Sequence, residues 1–300
     1  SAERPGSNNW AVAGRLTRDG RALLANDMHL SHGLPNIWYR ARIGWSEEGA
    51  QPGERVGRSM VGVTLPGTPA MVAGSNGRVA WGFTNSYIDC ADLVRLELDP
   101  ADSTRYMTPD GWERIRMVEE VIEVAGSTPD TLTVRETRWG PVWTEDLEGS
   151  PLALRWTAHD VEAVNLALVG MSRAGDVDEA VLAAASAGIP PQNLVCADSA
   201  GDIAWTIAGR VPKRAGWDGR LPVSWADGSC RWEGYLEPED QPKIARPEEG
   251  RLWTANNRVV ASRTWLAVAP SRIVACLLVA VGRVDGGRLV DQHDGNAVVH

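Results

Sequence analysis

Phenylalanine is almost missing from this 300-residue chain: a single Phe stands beside 14 Trp and 4 Tyr. An indole carries an N–H that needs a partner when buried, so the chain must offer many packing sites that are apolar yet hold an acceptor. A β-rich protein with extensive sheet surface supplies such sites. Cysteine is also scarce. Cys90, Cys196, Cys230 and Cys276 lie far apart and form no C-x-x-C pair. That pattern excludes a zinc framework or a dense disulfide scaffold, and leaves room for one bridge whose pairing the sequence does not fix. Basic residues are in deficit, 30 Lys and Arg against 39 Asp and Glu, for a net charge of −9. Nucleic acid and anionic membranes both demand a basic face, so neither is an expected partner. Long apolar runs are lacking as well. The longest, Ile273 to Val281, is too short to span a bilayer, and Ala2-Glu3-Arg4-Pro5 does not read as a signal peptide.

What is present is ordinary in bulk. With 43% hydrophobic and 23% charged residues and 31 glycines, the chain is a soluble globular one, large enough for a sizeable core. Its first 125 residues read mostly as strands: Trp10-Ala-Val-Ala-Gly, Arg21-Ala-Leu-Leu-Ala and Ile37 to Trp45 are short runs parted by Gly, Asp and Pro. Asn76-Gly77 predicts a tight hairpin, as do Gly126-Ser-Thr-Pro-Asp130 and Gly201-Asp202. Two helices are predicted, over Val161–Arg173 and Val177–Ala187. The first would turn Val164, Ala167, Leu168 and Met171 to one face. The second would start near Asp176 or Asp178 and stop at Gly188. Strands, then two helices, then strands indicate an α+β fold. Residues 210–250, rich in Gly, Pro, Trp and charge, read as long surface connections.

Familiar catalytic signatures are absent: no G-x-S-x-G, no H-E-x-x-H, no P-loop and no G-x-G-x-x-G. The five histidines are too scattered for a metal cluster. Attention falls instead on Gly6-Ser7-Asn8-Asn9-Trp10, which alone is only a turn-like tetrapeptide ahead of a strand. Its context adds Ala25-Asn26-Asp-Met-His29, Pro66-Gly-Thr-Pro-Ala, Gly74-Ser-Asn-Gly and Val79-Ala-Trp-Gly-Phe-Thr-Asn-Ser86. Further on come Pro191-Gln-Asn-Leu-Val-Cys-Ala-Asp198, Gly219-Arg-Leu-Pro-Val223 and Gly250-Arg-Leu-Trp-Thr-Ala-Asn-Asn-Arg-Val259.

In this order and spacing, over residues 6 to 260, the series resembles the N-terminal part of the β-subunit of the penicillin acylase (penicillin amidase) family. These are N-terminal nucleophile hydrolases. The resemblance implies an αββα sandwich, incomplete in this chain, and a mechanism the residues can support. Ser7 would attack the carbonyl of Gly6, a residue with no Cβ to obstruct it, and the ester would hydrolyse to leave Ser7 as a new N-terminus. Its α-amine, titrating near 8, would then act as base for its own hydroxyl. The oxyanion would be held by the backbone N–H of Asn85 and the side-chain amide of Asn256, preferred over the adjacent Asn257. Asn85's side chain also reads as a turn-capping amide. His29 would orient the serine, or serve as a half-buried structural histidine, and Arg272 would be a remnant of a supporting family helix. Asp89, Ala91 and Asp92 match a stretch that contributes to a calcium site in some family members. Two carboxylates and a carbonyl supply only part of the six to eight oxygens calcium takes, and a surface acid pair is the competing reading. No cofactor is expected for the chemistry itself.

The resemblance further implies an α-subunit from the same precursor and a periplasmic or secreted location. Residues 1–6 would be the end of a spacer, 7–260 the hydrolase core, and 261–300 a divergent tail, truncated or frameshifted. An isolated chain of this kind is expected to turn over little substrate. Expected substrates are linear N-acyl amides such as penicillins and cephalosporin side chains. The rival readings are an N-acyl-homoserine lactone acylase of the same superfamily, an inactive fragment or structural β-rich module, and a carbohydrate binder using exposed Trp.

Overall fold

The computed structural model describes residues 6–30, 33–46, 57–256 and 259. Two packed sheets and a helical layer form the part that carries the candidate site. The smaller sheet has β1 (Gly6–Val12) at its centre, between β2 (Leu23–His29) and the strand Arg251–Thr254, all antiparallel. The larger sheet contains β3 (Tyr39–Trp45), β4 (Arg58–Thr64), β5 (Ala73–Ser75) and β6 (Val79–Asn85). Beyond β6 it continues through Gln192–Asp198 and Ile203–Ala208 to the edge strand Lys243–Ala245.

Alternation along the strands divides the core in two. Trp81 and Phe83 of β6, with Leu194, Cys196, Ala204 and Ala208, face the single α-helix described, α1 (Val177–Ala185). That helix buries Val177, Ala180, Val181, Ala184 and Ala185, the spacing of one helical face. Asp176 caps it by accepting from Glu179 N. The opposite residues, Val195, Ala197, Ile203, Trp205 and Ile207, pack against Ala11 of β1, Leu24 of β2 and Leu252. Helix, sheet and sheet are therefore three successive layers of the expected αββα arrangement. The outer face of the small sheet carries Trp10 and Trp253, register partners that are 44% and 43% exposed.

A second β-rich region joins Ala91–Arg95 and Pro151–Trp156 to the Arg116–Ile122, Asp130–Thr137 and Gly140–Glu145 strands, with Val223–Ser224 parallel at its edge. Its core gathers Tyr106, Trp139, Trp217 and Trp225 in edge-to-face contacts. Part of the tryptophan excess is therefore core packing, while Trp10, Trp112, Trp143, Trp156 and Trp253 remain exposed. No helix among the described residues is long and apolar enough to cross a membrane.

All three expected hairpins form. At the first, Asn76 Oδ1 accepts from Arg78 N and Val79 N while Gly77 takes φ +85. Two expectations need correction. Residues 161–173 do not form an α-helix; they make two 3-10 segments, Val161–Ala163 and Ala167–Ser172. Asn165, between them, gives its side chain to Ala167 N, Gly188 N and Ser186 O, which breaks the helical ladder, and Val164 is left 82% exposed. Residues 210–250 are not merely surface connections. They include four strands, one of them the edge of the large sheet, and the buried Trp225. Cys90, Cys196 and Cys230 are free thiols.

Candidate active site

Ser7 is the second residue of β1, facing the larger sheet with Asn9 and Ala11. Its Oγ donates to Asn256 Oδ1 at 2.7 Å. Asn256 lies just beyond the strand Arg251–Thr254, whose register against β1 sets it beside the serine. The same amide reaches toward Gly6: a Cβ built on that glycine would lie 3.7 Å from Asn256 Nδ2 and 3.0 Å from His29 Nδ1. Side-chain amide, hydroxyl and the Gly6–Ser7 peptide thus share one corner.

His29, paired with Gly6 in the β1–β2 register, stands beside the peptide rather than the hydroxyl. Its Nε2 meets Asn8 Nδ2 at 3.1 Å and Asp27 Oδ2 at 3.2 Å, and the partner of Ser7 Oγ is Asn256. Asn85 ends β6 and lines the same cavity as Ser7, while its side chain caps a turn by accepting from Tyr87 N at 3.1 Å. Tyr87 takes φ +47, a left-handed conformation that bends the chain away immediately after the strand. Arg272 and Asn257 lie outside the described residues.

The cavity measures about 460 Å³, within the usual range for small-molecule sites. Gly6, Ser7, Asn85, Gln192 and Asn256 give it a polar end. Leu30, Trp38, Leu65, Val72, Phe83, Leu168 and Ile189 make most of the rest apolar, with Asn26, Thr68 and Thr84 among them. Among the described residues no charged side chain lines it.

Two residues without an assigned role in the sequence reading prove central to this corner. Asn26 of β2 donates through Nδ2 to the carbonyls of Asn8 and Phe83, tying the nucleophile strand to β6. It fits there because Gly82 has no side chain; a Cβ on Gly82 would stand 2.6 Å from Asn26 Cβ. Asn193 is wholly buried between the sheets. Both stand in stretches that mix polar and apolar residues, Leu23–His29 and Gln192–Asp198, so strand alternation alone did not single them out.

Asp89 and Asp92 do come together, around a cation already in place. Arg214, with a fully buried side chain, lies 2.8 Å through Nε from Asp92 Oδ2 and 3.2 Å through Nη2 from Asp89 Oδ1. Trp232 Nε1 donates to the same Asp92 oxygen at 2.6 Å. Burial pushes the Asp89 carboxyl up to about 6 against the pull of Arg214. These residues do not fit a calcium ion. The carboxylates face a guanidinium, and with the Ala91 carbonyl they fall short of the oxygen shell calcium takes. Among the described residues no group of three or more His, Cys, Asp or Glu gathers for a metal.

The penicillin amidase family model matches residues 2–280. The chain belongs to the penicillin amidase family. An acyl-homoserine lactone acylase, QuiP of Pseudomonas aeruginosa, is 32% identical over 85% of this chain and 30% of its own length. The penicillin acylase 2 proenzyme of a Pseudomonas species is 33% identical over 85% of this chain and 32% of its own. Among solved structures, a thermostable penicillin G acylase from Alcaligenes faecalis superposes with a TM-score of 0.69 at 25% identity. It covers 89% of this chain and 45% of that one. The chain thus spans about 30% of the length of the curated relatives it matches. As in that penicillin G acylase, the scaffold is the N-terminal nucleophile hydrolase fold, of the α+β class.

Proposed function

We propose that this penicillin amidase family member is the nucleophile-bearing part of an acylase that hydrolyses linear N-acyl amides with an uncharged, apolar acyl group. The observation that carries the reading is the Ser7 hydroxyl, 2.7 Å from the Asn256 amide on the wall of an apolar cavity.

In the first step Ser7 Oγ adds to the Gly6 carbonyl carbon and the Gly6–Ser7 C–N bond breaks. The hydroxyl proton passes to the Ser7 N so freed, and water then hydrolyses the resulting ester, releasing the Gly6 carboxylate and restoring the Ser7 hydroxyl. In turnover the α-amine takes the hydroxyl proton as Oγ adds to the substrate carbonyl. The amine product leaves with that proton, and water then cleaves the acyl-enzyme. The Asn85 N–H and Asn256 Nδ2 hold the oxyanion; such a donor typically contributes about 3–4 kcal/mol of transition-state stabilisation. His29, beside Gly6, holds Asn8 and with it the strand around the nucleophile. No step passes through a metal.

Penicillins and acyl-homoserine lactones both present a neutral acyl amide, and relatives named for each share similar identity with this chain. An α-subunit from the same precursor and a periplasmic or secreted location belong to the same reading. The test is expression from the intact gene, with N-terminal sequencing and a panel of amides carrying phenylacetyl, medium-chain acyl and glutaryl groups. Cleavage before Ser7, lost in Ser7→Ala, with turnover of the two apolar classes and little of the glutaryl amide, whose acyl group ends in a carboxylate, is the expected result. Amidase activity in an uncut Ser7→Ala protein would overturn the mechanism.

A further inference from the structure

Between the two sheets, beneath the nucleophile, lies a buried polar cluster that the chemistry above does not use. Asn193, opposite Thr84 in the register with β6, has no solvent exposure. Its Oδ1 accepts from Trp205 Nε1 at 3.1 Å, and that fully buried indole fixes which way the amide faces. Nδ2 is thereby turned toward Thr84 Oγ1 at 3.2 Å and toward the carbonyl oxygens of Asn85 and Ala255, each at 3.4 Å. Thr84 Oγ1 lies 2.9 Å from Thr254 Oγ1, adding a second tie between the same strands.

The two carbonyls belong to different sheets. Asn85 ends a strand of the large sheet, and Ala255 follows a strand of the small one and immediately precedes Asn256. No backbone ladder joins these strands, so their separation is set by what lies between them. Apolar side chains there would fill space without fixing a distance. An amide with both ends hydrogen-bonded fixes it. We propose that Asn193 is a positioning residue, holding the backbone N–H of Asn85 and the side chain of Asn256 at the spacing an oxyanion requires. This rests on the acylase reading above. Oxyanion donors work over a narrow range near 3 Å, and a misplacement of about 1 Å costs roughly 100-fold in rate.

The test uses Asn193→Leu, which keeps the branched shape and removes both polar ends, and Trp205→Phe, which removes the N–H that orients the amide together with part of the indole ring. Both are made in the protein expressed from the intact gene, with rates expressed per matured site by active-site titration. Asn193→Leu is expected to lower kcat about 10- to 100-fold with KM within about two-fold. Trp205→Phe should give a smaller fall of the same kind. Affinity for a boronic acid, which loads the oxyanion site, should drop in parallel with kcat, and inhibition by the product carboxylic acid should not change. Wild-type kcat and boronate affinity in folded Asn193→Leu would overturn the proposal. If that variant does not fold, unchanged values in Trp205→Phe do the same. A Ser7→Ala protein that still hydrolyses amides would instead overturn the acylase reading. A dead Ser7→Ala beside fully active Asn193 and Trp205 variants removes this inference alone.

Discussion

Gly6 faces His29 so closely that a Cβ on it would stand 3.0 Å from the imidazole Nδ1. Glycine at this position therefore keeps the peptide that we propose is cleaved clear of its neighbour. Gly6→Ala is expected to slow cleavage before Ser7 markedly without preventing folding, followed by gel electrophoresis over time. Processing at the wild-type rate would show that the contact does not matter.

Asn256 accepts from the Ser7 hydroxyl, and in the mechanism proposed above its amide nitrogen donates to the oxyanion. Asn256→Ala should reduce kcat/KM by about 100- to 1,000-fold. Because the residue is half-buried and lies outside a strand, its melting curve should stay close to wild type. An active alanine variant would move the donor role elsewhere.

Gly82 admits Asn26 between β2 and β6. Gly82→Ala places a methyl within 2.6 Å of Asn26 Cβ, which rotation of the side chain cannot relieve. Overpacking of this kind costs about 1–3 kcal/mol, measurable by chemical denaturation. Equal midpoints for variant and wild type would refute the close approach.

Arg214 pairs with both Asp89 and Asp92 from inside the fold. Arg214→Met leaves the buried Asp92 and the half-buried Asp89 without their cation and should destabilise the protein by about 3–5 kcal/mol. Unchanged thermal stability would mean the carboxylates reach solvent.

Burial pushes the Cys196 thiol up to about 12, so the thiolate is absent at neutral pH. Iodoacetamide at pH 8 should leave Cys196 unmodified in the folded protein and label it once the protein is denatured, as read by mass spectrometry. The same protein should lose amidase activity as pH falls through about 8, where the Ser7 amine of the matured enzyme gains a proton.

The sequence alone determined what depends on neighbours along the chain. Asn76-Gly77 specified its hairpin, Asp176 its helix cap, and Gly6-Ser7 the peptide and hydroxyl placed side by side. Alternation was enough to mark the strands, because side chains point to opposite faces whatever they later pack against. The helix predicted over residues 161–173 shows the limit of such reasoning. Its periodicity was sound locally, but Asn165 bonds to Gly188 and Ser186, more than 20 residues away. Only the tertiary structure decided the site. Ser7 and Asn256 are 249 positions apart, and their meeting follows from strand register. The depth of Asn193, the fit of Asn26 over Gly82 and the guanidinium between Asp89 and Asp92 arise the same way. Each is set by how closely layers approach, a distance that packing fixes and residue order does not encode.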